Sequence, residues 1–282
     1  MPLRLPGVPS GVELLAKCEW FNPGGSVKDR TALSLVREGR RSGALRPGQT
    51  IIDSSSGNTA VGLALVGQAL GHPVELVMPE SVSDSRRRSC VAYGARLTFT
   101  SAFEGSDGAI TRVRQVVADA PDRYFYADQY RNPANPLAHY RTTGPEIWRQ
   151  TRGRITHFVA GLGTSGTVMG AGRYLRERNP EVRIVAVEPD DALHGIEGLK
   201  HMESALVPEI YSPAGHDERR RVATEDAYAM CRELLESDGL TVGHSAGAAL
   251  WAARMLARES RQGLVVALLP DAGEPGLAGS AG

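Results

Sequence analysis

Three glycine-marked turns in the sequence combine residue types that bind anions or act as nucleophiles. The first, residues 22–30, has the sequence NPGGSVKDR, and its single lysine, Lys28, stands where a helix is expected to begin. A lysine amine in a buried cleft has its charged form disfavoured, so it becomes a usable nucleophile or base. An ordinary turn with a surface lysine would give the same pattern. The segment therefore predicts a candidate catalytic amine, with a plain turn as the alternative.

The second turn, residues 53–59, has the sequence DSSSGNT and lies between an apolar, strand-like run and a helical stretch rich in Ala, Leu and Gly. Hydroxyl groups and backbone N–H groups at a helix N-terminus attract carboxylates and phosphates, because the first N–H groups of a helix have no partner within it. Simple capping of the helix by Ser or Asn is the alternative. The turn predicts an anion site or a cap.

The third turn, residues 161–167, has the sequence GLGTSGT, which suits a phosphate site made of backbone donors and hydroxyls. No lysine follows its last glycine, so it is not a Walker loop. Gly161, Gly163 and Gly166 have the GxGxxG spacing of dinucleotide-binding loops, and Glu188 could serve as the ribose-binding acid. An NAD-binding oxidoreductase therefore remains an alternative.

Alternating strand-like and helix-like segments must position these turns, and they predict an α/β fold with parallel sheets covered by helices. The predicted strands are 12–17, 50–53, 74–78, 96–100, 156–160, 183–188 and 264–269. The predicted helices are 28–41, 58–70, 83–93, 165–178, 224–237 and 245–259.

The composition of the chain excludes several classes of function. The 282 residues carry 32 basic and 32 acidic side chains, so no overall field favours nucleic acid or a membrane surface. Cys18, Cys90 and Cys231 are far apart and form no CxxC or Cys/His cluster, so neither a disulfide framework nor a metal site is expected. The first residues lack the apolar core of a signal peptide, and no apolar run could span a bilayer. We expect a cytoplasmic protein that acts on a small molecule.

Taken together and in order, these motifs resemble the cysteine synthase and cystathionine β-synthase family, the fold type II pyridoxal-phosphate enzymes. The likeness is strongest to O-acetylserine or O-phosphoserine sulfhydrylases. It runs from about residue 12 to residue 274, and Ala60 stands where the family commonly has glycine. The matching segments are NPGGSVKDR (22–30), SSGNTA (55–60), NPAN (132–135), TTGPEIW (142–148), GTSGT (163–167), VEP (187–189) and GHSAGAAL (243–250).

The resemblance implies a single catalytic unit, residues 1–282, of two lobes, each a mostly parallel sheet flanked by helices. The smaller lobe is expected at approximately 54–130, within a larger lobe made of 1–53 plus 131–282. Lys28 would bind pyridoxal 5′-phosphate covalently and later transfer a proton. Asn58 would donate to the ring oxygen of the cofactor. The implied phosphate-binding residues are Gly163, Thr164, Ser165, Gly166 and Thr167, and the implied substrate-binding residues are Ser55, Ser56, Thr59 and Gln129.

The implied activity is that of a transferase in cysteine biosynthesis, which makes L-cysteine by β-replacement on an activated serine. Residues 157–167 and 207–211 resemble the branch that uses O-phosphoserine and takes sulfur from a protein thiocarboxylate. Arg219 falls about where that branch binds phosphate, and the bidentate geometry of arginine suits the role. A solvated basic cluster is the alternative. The basic run 86–88 would either dock an acidic sulfur-carrier protein or form the solvated face of a helix.

Two features of the sequence depart from the family pattern. Ala272 stands where the family usually has a serine or threonine opposite the pyridine nitrogen of the cofactor, so Asp271 or a water would have to replace that contact. The sequence also starts near the usual TPL segment of the family, which puts the expected homodimer in doubt. A cystathionine β-synthase-like enzyme, a serine or threonine dehydratase and a non-catalytic binding protein on the same scaffold are the alternatives.

Overall fold

The computed structural model describes residues 1–273, so Glu274, where the resemblance ends, lies outside the described residues. The chain divides into two compact units. We call residues 1–21 and 139–273 the larger unit, and Asn22–Ala138 the smaller unit.

The strands are β1 (Val12–Cys18), β2 (Thr50–Ser54), β3 (Val74–Pro79), β4 (Arg96–Thr100), β5 (Tyr124–Tyr126), β6 (His157–Gly161), β7 (Arg183–Pro189), β8 (Glu218–Val222) and β9 (Gly263–Leu269). The helices are α1 (Lys28–Ser42), α2 (Asn58–Leu70), α3 (Asp84–Ala92), α4 (Gly105–Asp119), α5 (Ala134–Arg141), α6 (Thr143–Gln150), α7 (Gly166–Arg178), α8 (Thr224–Asp238) and α9 (His244–Glu259).

The larger unit contains a five-stranded parallel sheet with the order β1-β9-β6-β7-β8. Its inner strands are continuous apolar runs, such as the VVALL stretch of β9, because a parallel sheet is covered on both faces. Helix α9 packs on this sheet with a face of small residues, among them Ala246, Ala249 and Ala253, all fully buried.

The smaller unit contains a four-stranded parallel sheet with the order β4-β3-β2-β5. Strand β3 is buried along its whole length, and the register places Ile51 opposite Val74 and Asp53 opposite Leu76. The carboxyl ends of β2 and β5 therefore lie side by side, which brings the residues after each strand to one edge of the sheet.

All seven predicted strands and all six predicted helices are present, with ends that agree within one residue. The structure adds β5, β8, α4, α5 and α6. Strand β5 has only three residues, and β8 has the charged sequence ERRRV of an edge strand, so neither has an apolar run long enough to predict a strand.

The bounds of the smaller unit differ from those expected for the smaller lobe, approximately 54–130. The unit found is Asn22–Ala138 because β2 pairs with both β3 and β5, and α1 packs closely on α2. A Cβ built on Gly62 of α2 would lie 3.2 Å from the Lys28 carbonyl oxygen of α1, so the two helix backbones nearly touch. Lys28 thus belongs with the smaller unit.

Within the described part of the chain, each helix is too short or too polar to cross a bilayer.

Candidate active site

Lys28 is held at the first residue of α1 by a tight turn. The Gly25 N–H donates to the Asn22 carbonyl oxygen at 2.9 Å, and Gly25 has a φ of +84°, which favours glycine. The Gly24 N–H donates to the Asp29 carboxylate at 2.6 Å, and a Cβ on Gly24 would lie 2.5 Å from that carboxylate. The Ser26 hydroxyl accepts the Lys28 N–H at 3.2 Å. The turn therefore fixes where the backbone of the partly buried Lys28 lies.

The predicted substrate loop follows β2 in the same unit. The Ser55 N–H donates to the Val77 carbonyl oxygen at 3.1 Å, and the Gly57 N–H donates to the Ser55 hydroxyl at 3.2 Å. Gly57 is the N-cap residue of α2, and because glycine has no side chain it cannot cap the first N–H groups of the helix. Ser55, Ser56 and Asn58 therefore surround a helix N-terminus, where a carboxylate is electrostatically favoured.

Gln129 joins this loop from a segment 70 residues further along the chain. Its side-chain amide donates to the Ser54 carbonyl oxygen at 3.0 Å and accepts the Thr59 hydroxyl at 2.7 Å. Its backbone carbonyl accepts the Asn135 side-chain amide at 2.7 Å. Gln129, Thr59 and Asn135 are all buried. The structure therefore brings Gln129 and the serine loop together, as their predicted common role requires.

The predicted phosphate loop lies in the larger unit, between β6 and α7. The Leu162 N–H donates to the Val187 carbonyl oxygen at 2.7 Å, and Ser165 has a left-handed φ of +68°. A Cβ on Gly163 would lie 2.3 Å from the Gly198 carbonyl oxygen, so this position has no space for a side chain. The Ser165 hydroxyl donates to the Thr164 carbonyl oxygen and does not accept an N–H group of the first turn of α7. The loop thus presents backbone donors and hydroxyls at a helix N-terminus, a donor set that fits a phosphate group.

His139 is a functional candidate that the sequence reasoning missed. It is buried, its Nδ1 lies 3.0 Å from the Thr143 hydroxyl and its Nε2 lies 3.4 Å from the Thr167 hydroxyl. The imidazole therefore orients a hydroxyl of the phosphate loop. No single motif marks His139 in the sequence, because it lies near the end of α5, Thr143 begins α6 and Thr167 is 28 residues away.

Arg219 lies on β8 among carboxylates. Its Nε is 3.3 Å from Glu188 Oε1 and its Nη2 is 3.5 Å from Glu203 Oε1. Glu188 is fully buried, and its other carboxylate oxygen accepts the Met202 N–H at 3.1 Å. The contacts of Glu188 are those of a structural carboxylate. The predicted phosphate-binding role of Arg219 stays a prediction.

Ala272 is exposed, and the residue before it contacts the loop that leads into α9. The Gly243 N–H donates to the Asp271 carbonyl oxygen at 3.3 Å, and a Cβ on Gly243 would lie 2.2 Å from the Asp271 carboxylate. The methyl side chain of Ala272 offers no hydrogen-bonding group, as the sequence indicated.

Comparisons with known proteins show the family of the chain. The model of a family described as "Pyridoxal-phosphate dependent enzyme" matches residues 2–271. The chain is 52% identical over 271 residues to the cysteine synthase of Aquifex aeolicus, which covers 95% of this chain and 83% of that protein. It is 40% identical over 268 residues to cysteine synthase B of Salmonella typhimurium, which covers 95% and 88%. The crystal structure of the cysteine synthase (OASS) of Entamoeba histolytica superposes with a TM-score of 0.92 at 35% identity, over 97% of this chain and 84% of that chain.

Proposed function

Because the chain belongs to the family of pyridoxal-phosphate-dependent enzymes, we propose that it is a cysteine synthase that makes L-cysteine by β-replacement on an activated serine. The observation that carries the proposal lies in the smaller unit. There an intact lysine begins α1, and a loop of serines at the start of α2 is tied to Gln129. The identity of 52% to a cysteine synthase supports the same activity.

Pyridoxal phosphate is the cofactor of this family, and the residues present fit it. The loop Gly163–Thr167 has the backbone donors and hydroxyls that a phosphate needs and contains no carboxylate. Lys28 is the only lysine of the smaller unit, since the other two lysines of the chain are Lys17 and Lys200. We assign Lys28 to covalent attachment of the cofactor and Asn58 to a hydrogen bond with its ring oxygen.

The chemistry divides between the cofactor and the side chains. Bound pyridoxal phosphate delocalises the negative charge that develops at the α-carbon when an amino acid loses its α-proton. The amine of Lys28 would take up that proton once the amino group of the substrate has replaced it on the cofactor. Ser55, Ser56 and the N–H groups at the start of α2 bind the carboxylate of the substrate, while Gln129 and Thr59 fix the shape of the loop. The substituent on the β-carbon then leaves, and a sulfur nucleophile takes its place.

We propose O-acetylserine as the activated serine, with sulfide as the sulfur donor. The side chain of Arg219 supports this choice because Glu188 and Glu203 already lie within ion-pair distance of it. A phosphate would compete with both carboxylates for the guanidinium. O-Phosphoserine with a protein thiocarboxylate is the second candidate, because Arg219 falls at the position of the phosphate-binding arginine of that branch.

The proposal also covers the location, the oligomeric state and the partners of the enzyme. A cytoplasmic homodimer is the state we expect for this enzyme. A sulfur-carrier protein would be a partner only under the second candidate. The acidic surface of such a carrier would bind near the basic run 86–88 of α3.

The test supplies each activated serine separately to the protein loaded with pyridoxal phosphate, then adds sulfide and measures cysteine. We expect cysteine from O-acetylserine. Pyruvate as the only product would indicate a dehydratase, and cystathionine formed only with homocysteine would indicate a cystathionine β-synthase. If no product forms from any of these substrates, the chain would be a binding protein without catalytic activity. Each of these three results contradicts the proposal. Protein reduced beforehand with borohydride is the inactive control.

A further inference from the structure

Asp53 is a fully buried carboxyl group at the end of β2, next to the substrate loop. One carboxylate oxygen accepts the Ser54 N–H at 2.8 Å, and the other accepts the Gln129 N–H at 3.3 Å. This single side chain therefore joins two segments that are separated by 76 residues in sequence. The first segment leads into the serine loop that we assign to binding of the substrate carboxylate, and the second carries Gln129, which fixes the shape of that loop.

A connected set of hydrogen bonds leads from Asp53 to the loop. The carboxyl group holds the backbone of Gln129, and the Gln129 amide then holds the Ser54 carbonyl oxygen at 3.0 Å and the Thr59 hydroxyl at 2.7 Å. If the backbone of Gln129 moves, both side-chain contacts move with it. A displacement of only about 1 Å is enough to weaken binding and orientation of a substrate.

The surroundings of Asp53 disfavour a negative charge there. Burial is the main cause, and the nearby Asp128 adds repulsion, so that the pKa of Asp53 rises to about 8 even though the N–H groups of Ser54 and Gln129 lower it. Burial raises the pKa of the Tyr126 and Tyr130 phenols, and the charged form of Asp53 raises it further. A buried ionisable group in such surroundings costs stability, which suggests a functional reason for its presence.

We propose that Asp53 is a positioning residue that sets the geometry of the substrate-carboxylate site through the backbone of Gln129. The inference rests on the proposed function. Asp53 itself does not touch the substrate. Its effect is on the affinity for the amino acid, because the groups it orients are the serine loop and Gln129, and not on attachment of the cofactor.

The test compares Asp53→Ala and Asp53→Asn with a matched control in the same sheet, Glu75→Ala. Glu75 is also buried, and it accepts the Thr98 and Tyr124 hydroxyls at 3.0 Å each, away from Gln129. The binding of L-serine is measured by titration of the visible absorbance of the bound cofactor, independently of turnover. The KM for O-acetylserine, the kcat and the KM for sulfide are measured beside it.

We expect Asp53→Ala to raise the dissociation constant for L-serine and the KM for O-acetylserine about tenfold or more, because two buried N–H groups lose their acceptor. The affinity for pyridoxal phosphate and the KM for sulfide stay within about twofold. Asp53→Asn has a smaller effect, since its amide oxygen still accepts one of the two N–H groups. Glu75→Ala lowers the melting temperature without changing the affinity for L-serine.

An unchanged affinity for L-serine in folded Asp53→Ala would overturn the inference, and so would an equal loss of affinity in Glu75→Ala. If Asp53→Ala does not fold, the affinity for L-serine is compared between Asp53→Asn and Glu75→Gln instead. An unchanged affinity in Asp53→Asn, or an equal loss in Glu75→Gln, would then overturn the inference. If the wild-type protein binds L-serine but makes no cysteine, the proposed function fails while the titration still tests Asp53.

Discussion

The predicted substrate loop of the smaller unit and the predicted phosphate loop of the larger unit have similar sequences but are held in different ways. Each follows a parallel strand, contains glycine and hydroxyl residues, and begins a helix. The loop after β2 is tied by buried side chains, chiefly Asp53, Thr59 and Gln129. The loop after β6 is shaped by its backbone, with Ser165 in a left-handed conformation and Gly163 packed against the Gly198 carbonyl oxygen.

This difference teaches that similar motifs depend on different properties of their residues. The substrate loop depends on hydrogen-bonding groups far along the chain, so conservative substitutions are expected to have graded effects. The phosphate loop depends on the absence of a side chain at one position, so a single methyl group is expected to disrupt it. Substitutions at Gly163 and Asp53 test that contrast, and Arg219 probes a side chain outside both loops.

The largest effect is expected from Gly163→Ala. Its new Cβ would lie 2.3 Å from the Gly198 carbonyl oxygen, a backbone atom that cannot move without shifting the loop around it. We expect the affinity for pyridoxal phosphate to fall at least tenfold, measured by equilibrium dialysis and by the visible absorbance of the bound cofactor.

Gly239→Ala is the matched control in the same unit. Gly239 has a φ of +68°, and a Cβ built there meets no atom within 4 Å. The substitution therefore adds backbone strain of about 1 kcal/mol without a steric clash. Its cofactor affinity is expected to equal that of the wild type. Normal cofactor binding by Gly163→Ala would show that the loop is not shaped by this close contact.

An effect of a different kind, specific to the substrate loop, is expected in the pH dependence of stability. Asp53 has its pKa raised from 3.8 to about 8 in the folded protein, mainly by burial. Between these two values the folded state holds a proton that the unfolded state has lost. The free energy of unfolding therefore falls as pH rises through that window, by up to about 1.4 kcal/mol per pH unit.

Asp53→Asn removes this dependence because an amide does not titrate. The melting temperature of the variant minus that of the wild type should therefore become more positive from pH 5 to pH 8. Ser54→Ala, which changes the neighbouring residue without altering any titratable group, should give a difference that does not vary with pH. If the difference in melting temperature between Asp53→Asn and the wild type also does not vary with pH, the buried carboxyl group is already ionised at pH 5.

The smallest effect is expected from Arg219→Ala, which lies outside both loops. Because Glu188 and Glu203 already neutralise Arg219, we expect the ratio of kcat/KM for O-phosphoserine to that for O-acetylserine to change less than about threefold. Arg221→Ala is the control, since Arg221 contacts the same two glutamates. A loss of O-phosphoserine turnover that is confined to Arg219→Ala would support the O-phosphoserine branch.

Much of the fold could be predicted from the sequence because its strands are buried. Runs such as VELVMP and GLVVALL are covered on both faces, and the glycines and serines that follow strands mark the turns. The resemblance predicted the family, and the family model over residues 2–271 confirms it. Strand β8 could not be predicted in this way because the charges of ERRRV hide a strand that pairs on one side only.

The supporting residues of the site were harder to predict. Lys28 and the serines stand in contiguous motifs, whereas Asp53 acts on Gln129 through a contact between positions 76 residues apart. His139 likewise lies 28 residues before the Thr167 hydroxyl that it orients. Contacts of this kind depend on which strands are neighbours in a sheet and on how helices pack, and neither can be deduced from the spacing of a single motif.

The attachment point of the cofactor tests the account most directly. The protein is loaded with pyridoxal phosphate, reduced with borohydride and digested, and the peptide that carries the pyridoxyl group is identified by mass spectrometry. The chain offers only Lys17, Lys28 and Lys200, and Lys17 is occupied by an ion pair with Glu146 at 2.6 Å. We predict label on Lys28 alone, lost in Lys28→Ala. Label on Lys17 or Lys200, or none on any lysine, would contradict the assignment of Lys28.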